Sequence, residues 1–366
     1  MNINSLLTLL TSVLITTFQI GSGYTQDFSK LDHWLEDNKN DLGGRAVLMI
    51  YKDGNFIYSH TVNDMGWFQK MTVKRIAIKQ KKEADLTDFT ESSRLPIASC
   101  SKWLSAALVM TFVDERKLNL SDSVGKFLPV LSRHGKGNIT ISQCLSHTTA
   151  IKAPQLKESL SESKSFNTMD DAIEHIASMQ MEGEPGKVFH YSNVGLQIAG
   201  AVIEKISGKD FETLFAERIA KPLEMKNTDF GNGKVPLPAG GAFSTPRDYM
   251  NFLIMILNKG EFKGKRILSE KSISVMQINR VTPDVKIAYT PKEAGSAGYG
   301  FGEWVMNSSS VGNLSKNVSS PGLFGSFPWV ENEKQYCAFL FSYNLKFNGR
   351  NDRYWELINL VDGVVR

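Results

Sequence analysis

The stretch Leu95-Pro-Ile-Ala-Ser-Cys-Ser-Lys-Trp-Leu-Ser-Ala-Ala-Leu-Val-Met-Thr-Phe112 joins a proline-led entry, a Ser-x-x-Lys spacing and an uncharged run from Trp103 to Phe112. Pro96 is tolerated in the approach to a helix but not in its interior, and Ser99 is a good N-cap type, so the helix is expected to begin near Ser99. Residues three apart share one helix face, with Cβ atoms about 5–6 Å apart, which lets the Lys102 amine fold back onto the Ser99 hydroxyl. The apolar run sinks the rest of the helix into a core. Its N-terminus would then offer free backbone N–H groups and a positive dipole end, both suited to a developing oxyanion. Ser-x-x-Lys alone recurs by chance, so its weight depends on what the rest of the chain supplies.

The chain supplies a substantial core: 366 residues, 42% apolar and 22% charged, room for two domains or one large one. A net charge of +4 is small for that length. No Arg-rich helix, zinc-finger spacing or aromatic-basic alternation occurs, so no nucleic-acid partner is expected. The most basic segment, Lys74-Arg-Ile-Ala-Ile-Lys-Gln-Lys-Lys82, is followed by Glu83 and Asp85 and reads as a solvated loop or edge. Leu6 to Phe18 has the length of a signal-peptide apolar region and is too short to span a bilayer. Residues 1–25 are therefore expected to be a signal peptide, although no Lys or Arg precedes the run. The mature protein would be exported, periplasmic or secreted, with no stable membrane span. Cys100, Cys144 and Cys337 are odd in number and lie in apolar settings without metal spacing, so they read as buried thiols.

Flanking the opening helix, Phe28 to Asn40 has helical spacing, and Ala46 to Tyr51 followed by Asp53-Gly54 and Phe56 to Tyr58 reads as a β-hairpin. Residues 61–94 read as an irregular insertion. Helices are expected after Leu120-Ser-Asp-Ser-Val124, at Ile139–Leu145, Met169–Met179, Val194–Ile206 and Phe211–Ile219, with Gly208 stopping the fourth. Strands return at Tyr299–Val305, Phe327–Val330 and Tyr336–Ser342, a Ser/Asn-rich surface excursion at Asn307–Ser320 interrupts them, and Asp352 to Val365 closes the chain as a helix. Strands at both ends with helices between predict an α/β protein of α+β type: a mixed, mainly antiparallel sheet flanked by helices, with an inserted helical domain. The expected division is a sheet subdomain from 26–116 and 240–366 and a helical subdomain at 117–239.

Two further elements carry chemistry. Phe189-His-Tyr-Ser-Asn193 contains Tyr-x-Asn at the start of an apolar helix: Tyr191 offers a phenol that can pass protons, and Asn193 an amide that can hold a lysine amine and a substrate carbonyl. Ser320-Pro-Gly-Leu-Phe-Gly325 is a small-residue strand entry of the kind found where backbone approaches a ligand closely. His147 and His190 read as packed or hydrogen-bonding groups, and no metal or other cofactor is expected.

With these elements in hand, the chain resembles the serine β-lactamase and penicillin-binding protein superfamily, specifically its class C-like branch, which includes D-Ala-D-Ala carboxypeptidases and esterases. The resemblance extends to Leu120–Pro129, Ile139–Thr148, Pro185–Gly195, Lys221–Met225 and Gly240–Thr245, in the family's order, and covers roughly residues 28–366. It implies Ser99 as the acylated nucleophile, with Lys102 or Tyr191 as base and Asn193 fixing the geometry. The oxyanion hole would be the backbone N–H groups of Ser99 and Leu323, with Ser320 and Gly322 on the substrate-binding strand. The third element of the family usually starts with Lys or His, and here Ser320 stands in that place, which weakens the expectation of carboxylate-bearing substrates. The expected function is an exported serine hydrolase acting through an acyl-enzyme on a small ester, amide or peptide. The competing reading is a catalytically silent cell-wall or peptide-binding sensor of the same fold.

Overall fold

The structure is a computed structural model that describes residues 26–81, 83–306, 315–345 and 348–365; the expected signal peptide lies outside them. Its frame is a seven-stranded sheet built from both ends of the chain. The strands are β1 (Arg45–Lys52), β2 (Asn55–Asn63), β3 (Gly298–Tyr299), β4 (Trp304–Val305), β5 (Asn317–Ser319), β6 (Phe327–Glu331) and β7 (Tyr336–Ser342), in the spatial order β2-β1-β7-β6-β5-β4-β3. Every pairing in this sheet is antiparallel. The parallel component is a short pair outside it, Val188–His190 with Lys286–Tyr289. Asp53 and Gly54 both take positive φ (48° and 82°), the two-residue turn that matches strand twist in a tight hairpin.

Both faces of the central strands are covered, which is why β1 and β7 are nearly continuous apolar runs. Ala46, Leu48, Ile50, Ala338 and Leu340 point to one side. There they meet Leu31, Trp34 and Leu35 of α1 (Ser29–Asn38) and, from the C-terminal helix Arg350–Val364, Leu357, Ile358 and Val361. Val47, Met49, Phe339 and Phe341 point to the other side, into the main core. The centre of that core is α3 (Ser101–Asp114), buried from Ser101 through Phe112; a helix apolar on all sides belongs in an interior.

Several local readings change. The segment read as an irregular insertion contains α2 (Trp67–Gln80), which begins at Gly66 and fully buries only Ala77 among its described side chains. Helix α3 starts two residues later than expected: Ser99 lies in a single 3-10 turn, Ala98–Cys100, and makes no cap. Ala98 is the cause, since its φ of 47° is left-handed and tightens the backbone before the helix can begin. Val124–Lys126 is one 3-10 turn rather than a longer helix, and Phe211–Phe215 runs into a π-turn at Ala216–Ala220. Of the expected surface excursion, residues 307–314 lie outside the described residues, while Asn317–Ser319 is a buried strand of the sheet.

Candidate active site

The turn carrying Ser99 is clamped from three directions. The Ile97 N–H donates to the Ala242 carbonyl at 2.9 Å, and the Ala242 N–H donates to Ser101 Oγ at 3.0 Å, tying the turn to the 237–243 segment. The Tyr249 hydroxyl donates to the Cys100 carbonyl at 2.8 Å. Ser320 Oγ lies 3.1 Å from the Ser99 carbonyl and 3.0 Å from that of Gly302, bracing the turn against the sheet edge. Close approach here requires glycine: a Cβ on Gly322 would stand 2.5 Å from the Ile97 carbonyl oxygen, and one on Gly302 2.5 Å from that of Lys102. A left-handed alanine held by so many partners is the over-determined strain typical of functional turns.

Lys102 is 2% exposed, and its Nζ lies 3.4 Å from Ser99 Oγ and 2.7 Å from the Ala239 carbonyl oxygen. It also sits 4.8 Å from the centre of the Tyr191 ring. Among the described residues no carboxylate compensates the buried ammonium, and burial pulls its pKa from 10.5 down to about 7. Tyr191 moves the other way. Burial pushes its phenol above the usual 10, and the neighbouring Ser99 hydroxyl opposes that shift.

Tyr191 is fixed by an aromatic box. It stacks on Trp304 at 5.1 Å and tilts against His147 at 4.7 Å, and Tyr299 closes the corner. His147 Nδ1 accepts from the Ser192 N–H at 3.5 Å, so Nε2 carries the proton that faces the Tyr299 hydroxyl at 3.1 Å. Burial holds this imidazole neutral, reinforced by the nearby Lys102. His190 pairs instead with Glu182, 2.6 Å away.

Ser99, Lys102, Tyr191, Asn193, Gly322 and Leu323 line one pocket of about 1010 Å³. Asn193 is at its wall, but its Nδ2 donates to Ser159 Oγ at 3.2 Å, on the helix Leu156–Glu162, and the Lys102 bond goes to Ala239 instead. Ser320 is not among the residues lining the pocket: it is 1% exposed and its hydroxyl faces the Ser99 and Gly302 carbonyls, while its neighbours Ser319, Pro321 and Gly322 line the wall. Ala239 had no signature in the sequence, because it contributes a main-chain oxygen. His147 and Tyr299 are linked only through space, 152 positions apart. Among the described residues no group of three or more His, Cys, Asp or Glu side chains could hold a metal ion. The three cysteines are buried and free.

Solved structures share this architecture. A protein from Bacteroides dorei DSM 17855, solved as a candidate beta-lactamase, is 26% identical with a TM-score of 0.76 over 93% of this chain and 99% of that one. EstCE1, a hydrolase with promiscuous acyltransferase activity, is 19% identical with a TM-score of 0.70 over 93% and 99%, a likeness of fold alone. In sequence, Protein flp of Staphylococcus aureus strain MW2 is 28% identical over 142 residues, 38% of this chain and 28% of that protein, so the match spans under a third of that relative. Protein Rv1367c of Mycobacterium tuberculosis strain H37Rv is 25% identical over 288 residues, 64% of this chain and 71% of that protein. The Beta-lactamase family model matches residues 35–362, nearly the whole of the described fold, and the chain belongs to that family.

Proposed function

We propose that this protein is a serine hydrolase that opens an ester or amide through an acyl-enzyme on Ser99. The observation that carries the reading is a buried amine with a pKa of about 7, 3.4 Å from the Ser99 hydroxyl, on the wall of a large pocket. An ordinary lysine is neutral in only about one molecule in 2,500 at pH 7, whereas burial brings this one down to about 7 and so makes the neutral amine a major form at that pH. Lys102 is then the base: it takes the Ser99 proton as Oγ attacks the substrate carbonyl. The backbone N–H groups of Ser99 and Leu323 receive the oxyanion. Tyr191, kept as a neutral phenol by burial, gives its proton to the leaving group and regains one from the Lys102 ammonium, which carries the proton taken from Ser99. Water then adds to the acyl-enzyme by the same route and restores free Ser99.

The pocket wall favours apolar substrate parts, with Leu156, Leu160, Tyr289, Trp304, Met306 and Trp355 facing it. Lys152 and Lys157 line the pocket but are exposed, and the Arg350 guanidinium on the same wall donates to the carbonyls of Leu323 and Asn344, so a substrate carboxylate would meet the two lysines in solvent and would have to compete with backbone carbonyls for the arginine. Together with the bracing role of Ser320, this supports esters, or peptides lacking a critical carboxylate, over D-Ala-D-Ala and β-lactam substrates. Export remains part of the proposal, carried by the sequence of residues 1–25.

A serine-reactive fluorophosphonate read by intact mass tests the nucleophile. Wild type should gain one adduct and Ser99→Ala none; absence of label on wild type, or equal labelling of the variant, rejects the reading. Hydrolysis of p-nitrophenyl esters compared with nitrocefin and a D-Ala-D-Ala peptide ranks the substrate classes.

A further inference from the structure

Among the described residues, seven large hydrophobic side chains stand more than a third exposed, and three of them share α2: Trp67 at 68%, Phe68 at 78% and Ile78 at 74%. Leu156 and Tyr289, two of the others, edge the catalytic pocket and have a role there. The α2 group stands apart from that pocket and does not line it. At 100° per residue, Trp67, Met71 and Ile78 fall within an arc of about 40° on the outer side of the helix, with Phe68 bordering it. The inner side is already apolar through Val73, Ile76 and the buried Ala77. This helix therefore carries apolar residues on both faces, and among the described residues the outer ones, Trp67, Phe68 and Ile78, stand exposed while Ala77 on the inner side is buried.

Charge selects the occupant of the outer face. From Trp67 to Lys82 the chain carries Lys70, Lys74, Arg75, Lys79, Lys81 and Lys82 and no Asp or Glu. Lys74, Arg75 and Lys79 are exposed and lie among the outer apolar residues. A helix exposing aromatic and aliphatic side chains with an acid-free set of cations matches a lipid interface: Trp and Phe enter the headgroup boundary while long basic side chains reach the phosphates. A nucleic acid would use the cations and leave Ile78 and Met71 in water. An acidic protein would need, besides its carboxylates, a groove shaped to receive the exposed Trp67, Phe68 and Ile78 side chains, whereas a lipid interface takes them without one.

We propose that α2 docks this protein onto an anionic phospholipid surface, lying in the interface with Trp67, Phe68 and Ile78 inserted and Lys74, Arg75 and Lys79 on the lipid phosphates.

The test is co-sedimentation of the full chain with vesicles of pure phosphatidylcholine and of phosphatidylcholine with phosphatidylglycerol at 7:3. The readout is the increase in bound fraction that the anionic lipid produces, which cancels any contribution of the N-terminal apolar run. Wild type should show a clear increase that falls several-fold in 0.5 M NaCl. W67S/F68S and K74E/R75E should each reduce it at least fivefold while keeping the wild-type circular dichroism. The proposal is overturned if wild type shows no increase, if both variants keep it, or if only a soluble polyanion such as heparin binds at α2.

Discussion

Lys102 Nζ stands 3.4 Å from Ser99 Oγ in a pocket where the nearest compensation for its charge is the Ala239 carbonyl, 2.7 Å away. The lysine can accept the serine proton only in its neutral form. Its pKa of about 7 is depressed from 10.5, so protonation as pH falls through 7 removes the base. We expect kcat/KM for a neutral ester to rise with pH along a limb centred near 7, about tenfold between pH 6 and pH 8. Lys102→Ala should lower kcat by about 10²–10⁴-fold. A flat profile from pH 6 to pH 8 would remove Lys102 from the role.

Tyr191 separates the two possible bases. Burial raises its phenol, so at neutral pH it is protonated and not a standing phenolate. Tyr191→Phe should depress kcat by about 10²-fold or more while leaving the limb near pH 7 in place, because that limb belongs to Lys102. If the limb disappears with the phenol, Tyr191 holds the base role. A pH–rate profile of this one variant makes the distinction.

Ser320 gives a prediction that differs from the one its position in the family's third element implies. Its hydroxyl serves the carbonyls of Ser99 and Gly302 and does not reach the pocket. Ser320→Ala leaves buried acceptors without this donor, at a cost of about 1–3 kcal/mol in stability. Denaturant unfolding should record that loss, and kcat should fall through displacement of the Ser99 turn with KM little changed. A pure KM effect would return Ser320 to substrate binding.

The elements that the sequence made legible are those written in side chains with a strong period or a fixed spacing. The β1–β2 hairpin followed from Asp53-Gly54, helix Val194–Ser207 from its apolar face and Gly208, and the meeting of Ser99 with Lys102 from a three-residue interval. Helix α2 was not legible, because apolar residues on two faces erase the periodic signal of a one-sided surface helix. The late start of α3 depends on the left-handed Ala98, which alanine does not advertise. Within the site, the sequence pointed to Asn193 as a partner of the lysine, whereas Ala239 holds that place through a backbone oxygen that any residue could supply. Side-chain type brought the reactive groups into view, and tertiary placement decided which of them touch.

Glu303, between β3 and β4, has a fully buried side chain whose two carboxylate oxygens have no hydrogen-bond partner among the described residues. Burial raises its pKa well above 4.5, and the attraction of Arg280 only partly opposes the rise. Arg280 is itself committed to the carbonyls of Ile278 and Val275 and to the face of Phe301. With the folded pKa above the unfolded one, the native state binds more protons than the unfolded state once pH passes the ordinary carboxylate value. Stability is therefore full below that value and falls as pH rises towards the folded pKa, by about 1.4 kcal/mol for each pH step of one across that interval. Glu303→Gln keeps the shape and removes the titration, so the variant should gain stability relative to wild type as pH moves from 5 to 8. Urea midpoints of the two proteins at both pH values give the comparison, and a wild-type-to-variant difference that stays constant across that interval would show that the buried carboxyl does not govern it.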